Sequence, residues 1–331
     1  ADYAIRRGYE SEGGDVVASG ELGGYTVDVI DINVFKSDTI TSLTLPETVL
    51  ELRSNAVTWC ENLKSVSLPE SLIVINRMNF NTCDSLSEVT IPAGVRYIGS
   101  NSFRFCEALK KITFEGVCPI IDKECFSLIG EGATAYVPDD QLEAYAAAFE
   151  KAGIELEIQP SGKNAVVVEN NGFAEEDFDF DASTGTIVAY NGFATYLSIP
   201  ETIGGVPVKA IGAEAFKYHQ YLALLELPEG LEDIGDEAFY NCVTLGHVTF
   251  PSTLKTIGNN AFYNAYKGNT MELTSVEHIG DYAFYFAGFQ GDMELPEGLK
   301  TIGESAFESC SNMGDLYLPS TLESIGSNAF S

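Results

Sequence analysis

Positive charge is what this chain has least of. Lysine and arginine together number 18 against 49 aspartates and glutamates, a formal net charge of -31 over 331 residues. Such a balance repels phosphate backbones and anionic lipid headgroups, so neither nucleic acid nor a membrane surface is an expected partner. Apolar runs of the roughly 18 residues that a membrane-spanning helix needs are missing too, and no membrane insertion is expected. No basic-then-apolar leader opens at Ala1; a processed secreted protein and a cytosolic one both look like this, so its absence separates neither. Histidines number three, no Cys-x-x-Cys pair occurs, and no Ser or Cys lies in a nucleophile elbow. Acid–base, zinc and acyl-transfer chemistry thereby lose their usual carriers, and the chain reads as non-catalytic, with no cofactor and no metal.

What is present is a repeat. Pro46, Pro69 and Pro92 are each 23 residues apart, as are Cys60, Cys83 and Cys106, and Leu63, Leu86 and Leu109. Phe216, Phe239, Phe262, Phe284, Phe307 and Phe330 step by 23, with one step of 22. The clearest unit is Ile-Gly-x-x-Ala/Ser-Phe, as in Ile98-Gly99 to Phe103 and Ile234-Gly235 to Phe239, with degenerate copies such as Leu52 to Val57 and Ile75 to Phe80. Within one copy, Ser65-Val66-Ser67-Leu68 alternates like a short half-buried strand, and Pro69, which has no N–H for a ladder, ends it. Leu72 and Ile75 return the chain inward. The Gly after the Ile suits a tight turn or a positive φ, and the Ala/Ser-Phe pair suits a short helical or 3₁₀ turn with the Phe in the core. No such unit buries its apolar side alone; stacked units do. The expected architecture is an α/β solenoid of repeats about 23 residues long, with a parallel sheet on one face and the turns on the other.

Two modules are expected, 1–160 and 161–331. Residues 1–44 read as an entry cap, with a strand from Tyr25 to Ile32. Repeats follow to Val137, and 139–158 reads as a closing helix and strand, because an acidic, Ala-rich amphipathic stretch stops before Gly153. Pro160-Ser161-Gly162 reads as a linker. Phe178 to Tyr190 then reads as an entry hairpin around Ala182-Ser183-Thr184-Gly185, and repeats resume at Tyr196. Ser331 falls inside a repeat, which leads to the expectation that the natural protein continues past it.

Leu68-Pro69-Glu70-Ser71-Leu72, with Ile98-Gly99-Ser100-Asn101-Ser102-Phe103-Arg104-Phe105-Cys106, resembles the BspA-like leucine-rich repeat, L-P-x-x-[LV]-x-x-I-G-x-x-A-F-x-x-C-x-x-L. Ile199 to Val208 resembles that family's entry motif. The chain departs from the pattern where Asn76 replaces the Gly, Val57 the Phe, and His219, Ala265 and Ala287 the Cys. Residues 264–272 and 286–293 also wander from it. The resemblance implies a bacterial surface or secreted protein, adhesin-like in class, with an extracellular or host protein, or a glycan, as partner. It transfers no binding residue, because the matching positions are scaffold. A different reading, a spacer presenting a further C-terminal domain, follows from the end at Ser331.

The Cys column (Cys60, Cys83, Cys106, Cys242, Cys310) shares its slot with Ala265 and Ala287, so it reads as small, buried and inert. Asp177, Asp179 and Asp181 match the start of an EF-hand loop, but Ala182 stands where the loop needs Gly and Val188 where it needs Glu; a strand with a wet acidic side is the better reading. Outward strand positions remain as the working surface. In the first module they are small and hydroxylic, for example Ser65 and Ser67. In the second they hold Tyr196, Glu226, His247, Thr270, Glu272, Asp292, Glu294, Asp315 and Tyr317. Aromatic rings among carboxylates suit protein or glycan recognition, which makes Tyr196, Glu226, His247, Glu272, Glu294 and Tyr317 the candidate partner-binding face.

Overall fold

The computed structural model describes residues 3–6, 13–168, 172–265, 271–289, 291–310 and 313–331, the first of these by backbone alone. The chain forms two compact units, Ala1–Glu169 and Asn170–Ser331. Each is a parallel β-solenoid whose coils stack at the repeat spacing read from the sequence.

Every regular coil carries two strands, where the sequence pattern suggests one. In the first unit, Glu88–Ile91, Lys111–Phe114, Thr134–Val137 and Glu157–Pro160 form one parallel sheet. Gly14–Val17, Ile40–Thr44 and Ser65–Ser67 form another in the same strand position of earlier coils. The alternation of Glu88-Val89-Thr90-Ile91 is exposed, buried, exposed, buried, the signature of a strand with one wet face. The unexpected sheet joins Tyr25–Ile30, Glu51–Leu52, Val74–Ile75, Tyr97–Ile98 and Ile120–Ile121. Leu52, Ile75, Ile98 and Ile121 are register partners in that order, so the Ile that returns the chain inward also bonds the next coil.

The second unit repeats the plan. The hairpin of Phe178–Asp181 and Thr186–Tyr190 opens a sheet that continues, all parallel, through Ile211, Ile234, Ile257, Ile279, Ile302 and Ile325. The other strand position is interrupted. Tyr196–Ser198, Leu224–Glu226 and His247–Thr249 pair in parallel, and Gly291–Glu294 pairs with Met313–Tyr317. Between these groups, residues 271–273 form no strand, in the region where the repeat pattern drifts.

The Phe column is the spine of each core. Phe80, Phe103 and Phe126 stack with ring centroids 5.1 and 5.2 Å apart. From Phe216 to Phe330 six rings stack at 4.9–5.4 Å, close to the spacing that neighbouring strands impose. Around these rings lie the Leu and Ile columns, fully buried at Leu63, Leu86, Leu109 and Leu231.

The segments expected as short helical or 3₁₀ turns are successive tight turns. Most coils have two left-handed residues here, one two places after the Gly and one two places after the Phe, as at Glu237 (φ 56°) and Asn241 (φ 56°); the coil of Met78, Phe80 and Thr82 has three. The repeat Gly is not one of them: Gly99, Gly235 and Gly258 are absent from the positive-φ residues. Its function is close approach. A Cβ on Gly258 would meet the Asp236 backbone nitrogen at 2.7 Å, and one on Gly280 would meet that of Asn259 at 2.7 Å. The coils therefore touch backbone to backbone here, and side chains of the following residues bond across the seam. Asp236 Oδ1 accepts from Asn259 N (2.7 Å), Asn259 Oδ1 from Asp281 N (2.8 Å) and Asp281 Oδ1 from Glu304 N (2.7 Å).

A 3₁₀ turn at Asp139–Gln141 leads into the helix Leu142–Ala152, which Gly153 ends in a left-handed conformation (φ 66°). The helix buries Tyr145, Phe149 and Ala152, with the Tyr145 ring 4.8 Å from that of Phe114, closing the core of the first unit. The compact boundary falls after Glu169 rather than after Pro160. Residues 161–168 lie along the first unit because their backbone bonds to it: Ser161 N to Val137 O (2.8 Å), Ala165 N to Asp140 Oδ1 (2.8 Å) and Val166 N to Glu115 O (2.9 Å).

Candidate recognition surface

The sheet face of the second unit holds the expected recognition residues in two groups. In the three-stranded group, Tyr196, Leu224 and His247 are register neighbours, and Ser198, Glu226 and Thr249 form the adjacent column. Tyr196 is only 7% exposed, Leu224 is fully buried, and the Tyr196 hydroxyl donates to Glu226 Oε2 at 2.9 Å. Tyr196 is thus a packing residue that fixes Glu226 and offers no ring to a partner. Alternation alone placed it outward. In the entry segment, Gly172 lies against the Tyr196 carbonyl of this edge strand. His247 is half-buried, and Glu272 is exposed but outside any strand. Thr270 lies outside the described residues. In the second group, Glu294 is exposed and pairs in register with Tyr317, which is 55% exposed.

A second surface was not foreseen. One residue after the core Phe, the turns of the second unit carry Lys217, Tyr240, Tyr263, Tyr285 and Glu308 in one column. The rings of Tyr240, Tyr263 and Tyr285 stack at 4.8 Å, nearly parallel, on the outside of the turns. Tyr218, 56% exposed, meets Tyr240 edge to face at 5.8 Å, and Tyr282 lies 5.8 Å from Tyr285. The signal was in the sequence, since Tyr240 and Tyr263 share the repeat spacing. Strand alternation does not reach it, because these residues lie in the turns.

Lys217 shows what this edge holds. Its Nζ lies 5.7 Å from the Tyr218 ring centroid and 5.5 Å from that of Tyr240, and it pairs with Glu214 (3.3 Å) and Glu237 (2.5 Å). The two carboxylates push the lysine pKa upward, the Glu237 hydrogen bond most.

The thiol column has a defined task. Cys60, Cys106, Cys242 and Cys310 each donate to the carbonyl of a residue in the Phe column one coil earlier: Phe35 (3.1 Å), Phe80 (3.0 Å), Phe216 (2.9 Å) and Phe284 (3.1 Å). His219, which replaces the Cys, places Nε2 2.8 Å from the Tyr190 carbonyl and fills the same slot. Burial pushes the Cys106 and Cys242 thiols up to about 12, so they stay protonated and inert. In the acidic hairpin, Asp181 accepts from Ser183 N and Oγ and from Thr184 Oγ1, which lowers its pKa; Asp179 and Asp181 lie on the strand Phe178–Asp181.

Three carboxyl side chains are buried among the described residues of the first unit, Asp28, Asp122 and, most deeply, Glu51. Glu51, 1% exposed, accepts from Asn76 Nδ2 at 2.7 Å through Oε1, while Oε2 has no hydrogen-bond partner and lies 3.8 Å from Arg53 Nε. Burial raises its pKa to about 7, with Arg53 opposing. Asn76, which stands where other repeats have Gly, thereby supplies this carboxyl with its hydrogen bond. A cleft of about 490 Å³ lies between residues 124–133 and 153–157, lined by apolar side chains and glutamates, with no His, Cys or Lys. Among the described residues, no group of three or more His, Cys, Asp or Glu is placed to hold a metal ion.

No curated protein matches this chain. Among solved structures it is similar to the pneumococcal vaccine antigen PcpA (19% identity over 96% of this chain and 79% of that one, TM-score 0.34). It is also similar to a leucine rich cell surface protein from Faecalibacterium prausnitzii (21%, 95% and 89%, 0.34) and a leucine-rich repeat protein from Bacteroides ovatus (21%, 96% and 84%, 0.34). TM-scores of 0.34 are too low for these three to inform the reading of this chain. The family model of the BspA type leucine rich repeat region matches residues 28–155 and 209–331, in six copies. That match takes in the Ile-Gly, Phe and Cys columns of both units, and the chain belongs to the BspA-type leucine-rich repeat family.

Proposed function

We propose that this chain is a non-catalytic recognition protein, carried on or released from a bacterial cell surface, that holds an extracellular host or matrix protein, or a glycan, on the sheet face of its second unit. The observation that carries this reading is the pair Glu294 and Tyr317. A largely exposed ring stands opposite an exposed carboxylate on two hydrogen-bonded strands. Rings of this kind are the usual anchors of protein interfaces, and a strand presents one with its backbone already ordered. Family membership supports the surface location and the adhesin class.

The test is a binding screen of residues 1–331 against immobilised matrix proteins and glycans, with calcium and with chelator. The expected hit loses about tenfold or more in affinity with Tyr317→Ala or Glu294→Lys, as an interface anchor does. It is unchanged by Ser65→Ala with Ser67→Ala in the first unit. A blank panel, or a hit indifferent to both second-unit variants, rules the sheet-face reading out.

A further inference from the structure

We infer that the turn edge of the second unit is a separate docking surface, one that takes lysine or arginine side chains of a partner protein between tyrosine rings and carboxylates. This assignment rests on reading the chain as a recognition protein, but it names a different face and a partner chemistry.

The starting point is Lys217. This side chain is an intramolecular example of the proposed contact: an ammonium held by two rings, Tyr218 and Tyr240, and two carboxylates, Glu214 and Glu237. Two rings and two carboxylates recur three coils on. Tyr282 and Tyr285 lie 5.8 Å apart at an interplanar angle of 56°, and the Tyr282 hydroxyl donates to Glu304 Oε1 at 3.3 Å. Glu308 follows Tyr285 in its column. At that level the column that supplies Lys217 supplies Tyr285, so the lysine of the first arrangement has no counterpart there in the column itself.

The rings of this edge stack on one another from coil to coil, and filling the core does not require them. The core needs only the Phe column, and the tyrosines lie outside it, between wet carboxylates. Tyr282 takes a left-handed conformation (φ 56°), at the position that Glu237, Asn260 and Ser305 occupy in neighbouring coils. The Tyr240, Tyr263 and Tyr285 rings are half-buried, and a phenol oxygen accepts from ammonium or guanidinium N–H groups. The terminal rings add cation–π attraction, and the carboxylates supply charge. A net charge of -31 draws a basic segment toward the chain in general; the rings and carboxylates of this edge decide where it settles.

The experiment measures binding of a labelled octalysine peptide to residues 1–331 by fluorescence anisotropy at physiological salt. Glu304→Gln with Glu308→Gln is expected to weaken binding about tenfold, and Tyr282→Leu about threefold, in line with the strength of exposed cation–π and charge contacts. Glu294→Gln with Asp315→Asn removes the same charge from the sheet face and is expected to change binding less than about twofold. Equal losses from the two charge-removing pairs, or no loss from Glu304→Gln with Glu308→Gln, overturn the proposal and leave only diffuse attraction. Thermal melts identify any variant that fails to fold, and the carboxylate pair decides the matter if Tyr282→Leu does. A blank matrix panel with the expected octalysine pattern removes the sheet-face reading and keeps this one. A panel hit lost with Tyr317→Ala, alongside equal octalysine losses, does the reverse.

Discussion

Glu51 is the residue at which chemistry and stability are most tightly joined. Its folded pKa lies above its unfolded value, rising from 4.5 to about 7 because burial disfavours the charged form more than Arg53 favours it. A carboxyl raised in this way binds its proton more tightly in the folded state. Its contribution is therefore complete below the unfolded value and is lost as pH rises through about 7. The shift corresponds to about 3 kcal/mol between those limits. Glu51→Gln keeps the shape and cannot ionise, so its denaturant-unfolding free energy should exceed that of the parent chain at pH 8 and converge toward it near pH 4. Parallel pH profiles for the two proteins would show that the carboxyl is ionised in the folded state at neutral pH. Nothing in the sequence singles out Glu51, since a Glu before an apolar residue reads as the wet side of a strand. Only the coil stacking shows that this position faces inward among Asp28, Arg53 and Asn76.

At the scale of the element, the seam between coils makes the sharpest prediction. Gly258→Ala puts a methyl group against the Asp236 and Gly235 backbone, although its φ is not positive. Gly230→Ala keeps open space around the new methyl but forces Ala to φ 93°. The first should cost about 2–3 kcal/mol as overpacking, the second about 1 kcal/mol as backbone strain. The reverse order in urea melts would mean that the repeat Gly serves conformation after all. What could be read in advance follows the same division. The Phe and Ile columns were legible because one large residue per coil must meet its copies, and that shows as fixed spacing. The two-residue strands at Tyr97–Ile98 and Thr256–Ile257 were not, because two residues cannot display an alternation. The sheet-face candidates were legible as a column but not as a surface: Tyr196 has the right parity but is buried, while Tyr317 has the right parity and is exposed.

Across the whole chain, the decisive quantity is charge. With 49 acidic side chains against 18 basic ones, repulsion outweighs the inter-coil pairs, such as Lys209 and Lys255 on Glu232 (both 3.2 Å). Screening should therefore stabilise: the thermal midpoint is expected to rise by roughly 3–8 °C between low salt and about 0.5 M sodium chloride, monitored by circular dichroism. A falling midpoint would mean that the Lys–Glu pairs dominate. Most register partners in the parallel sheets of either unit lie 22 or 23 residues along the chain, as Ile75 is from Ile98 and Ile234 from Ile257, and those of the entry strands lie up to 28 apart, as Tyr196 is from Leu224. Joining each new coil then closes a loop of the same modest length, whether it is the third or the seventh. The first docking of two coils is then the expected slow event in folding, with growth from that nucleus at a pace that added repeats do not change. A chain built in this way can be lengthened or shortened by whole coils without its folding becoming harder, which leaves its length free to be set by the reach its surfaces require.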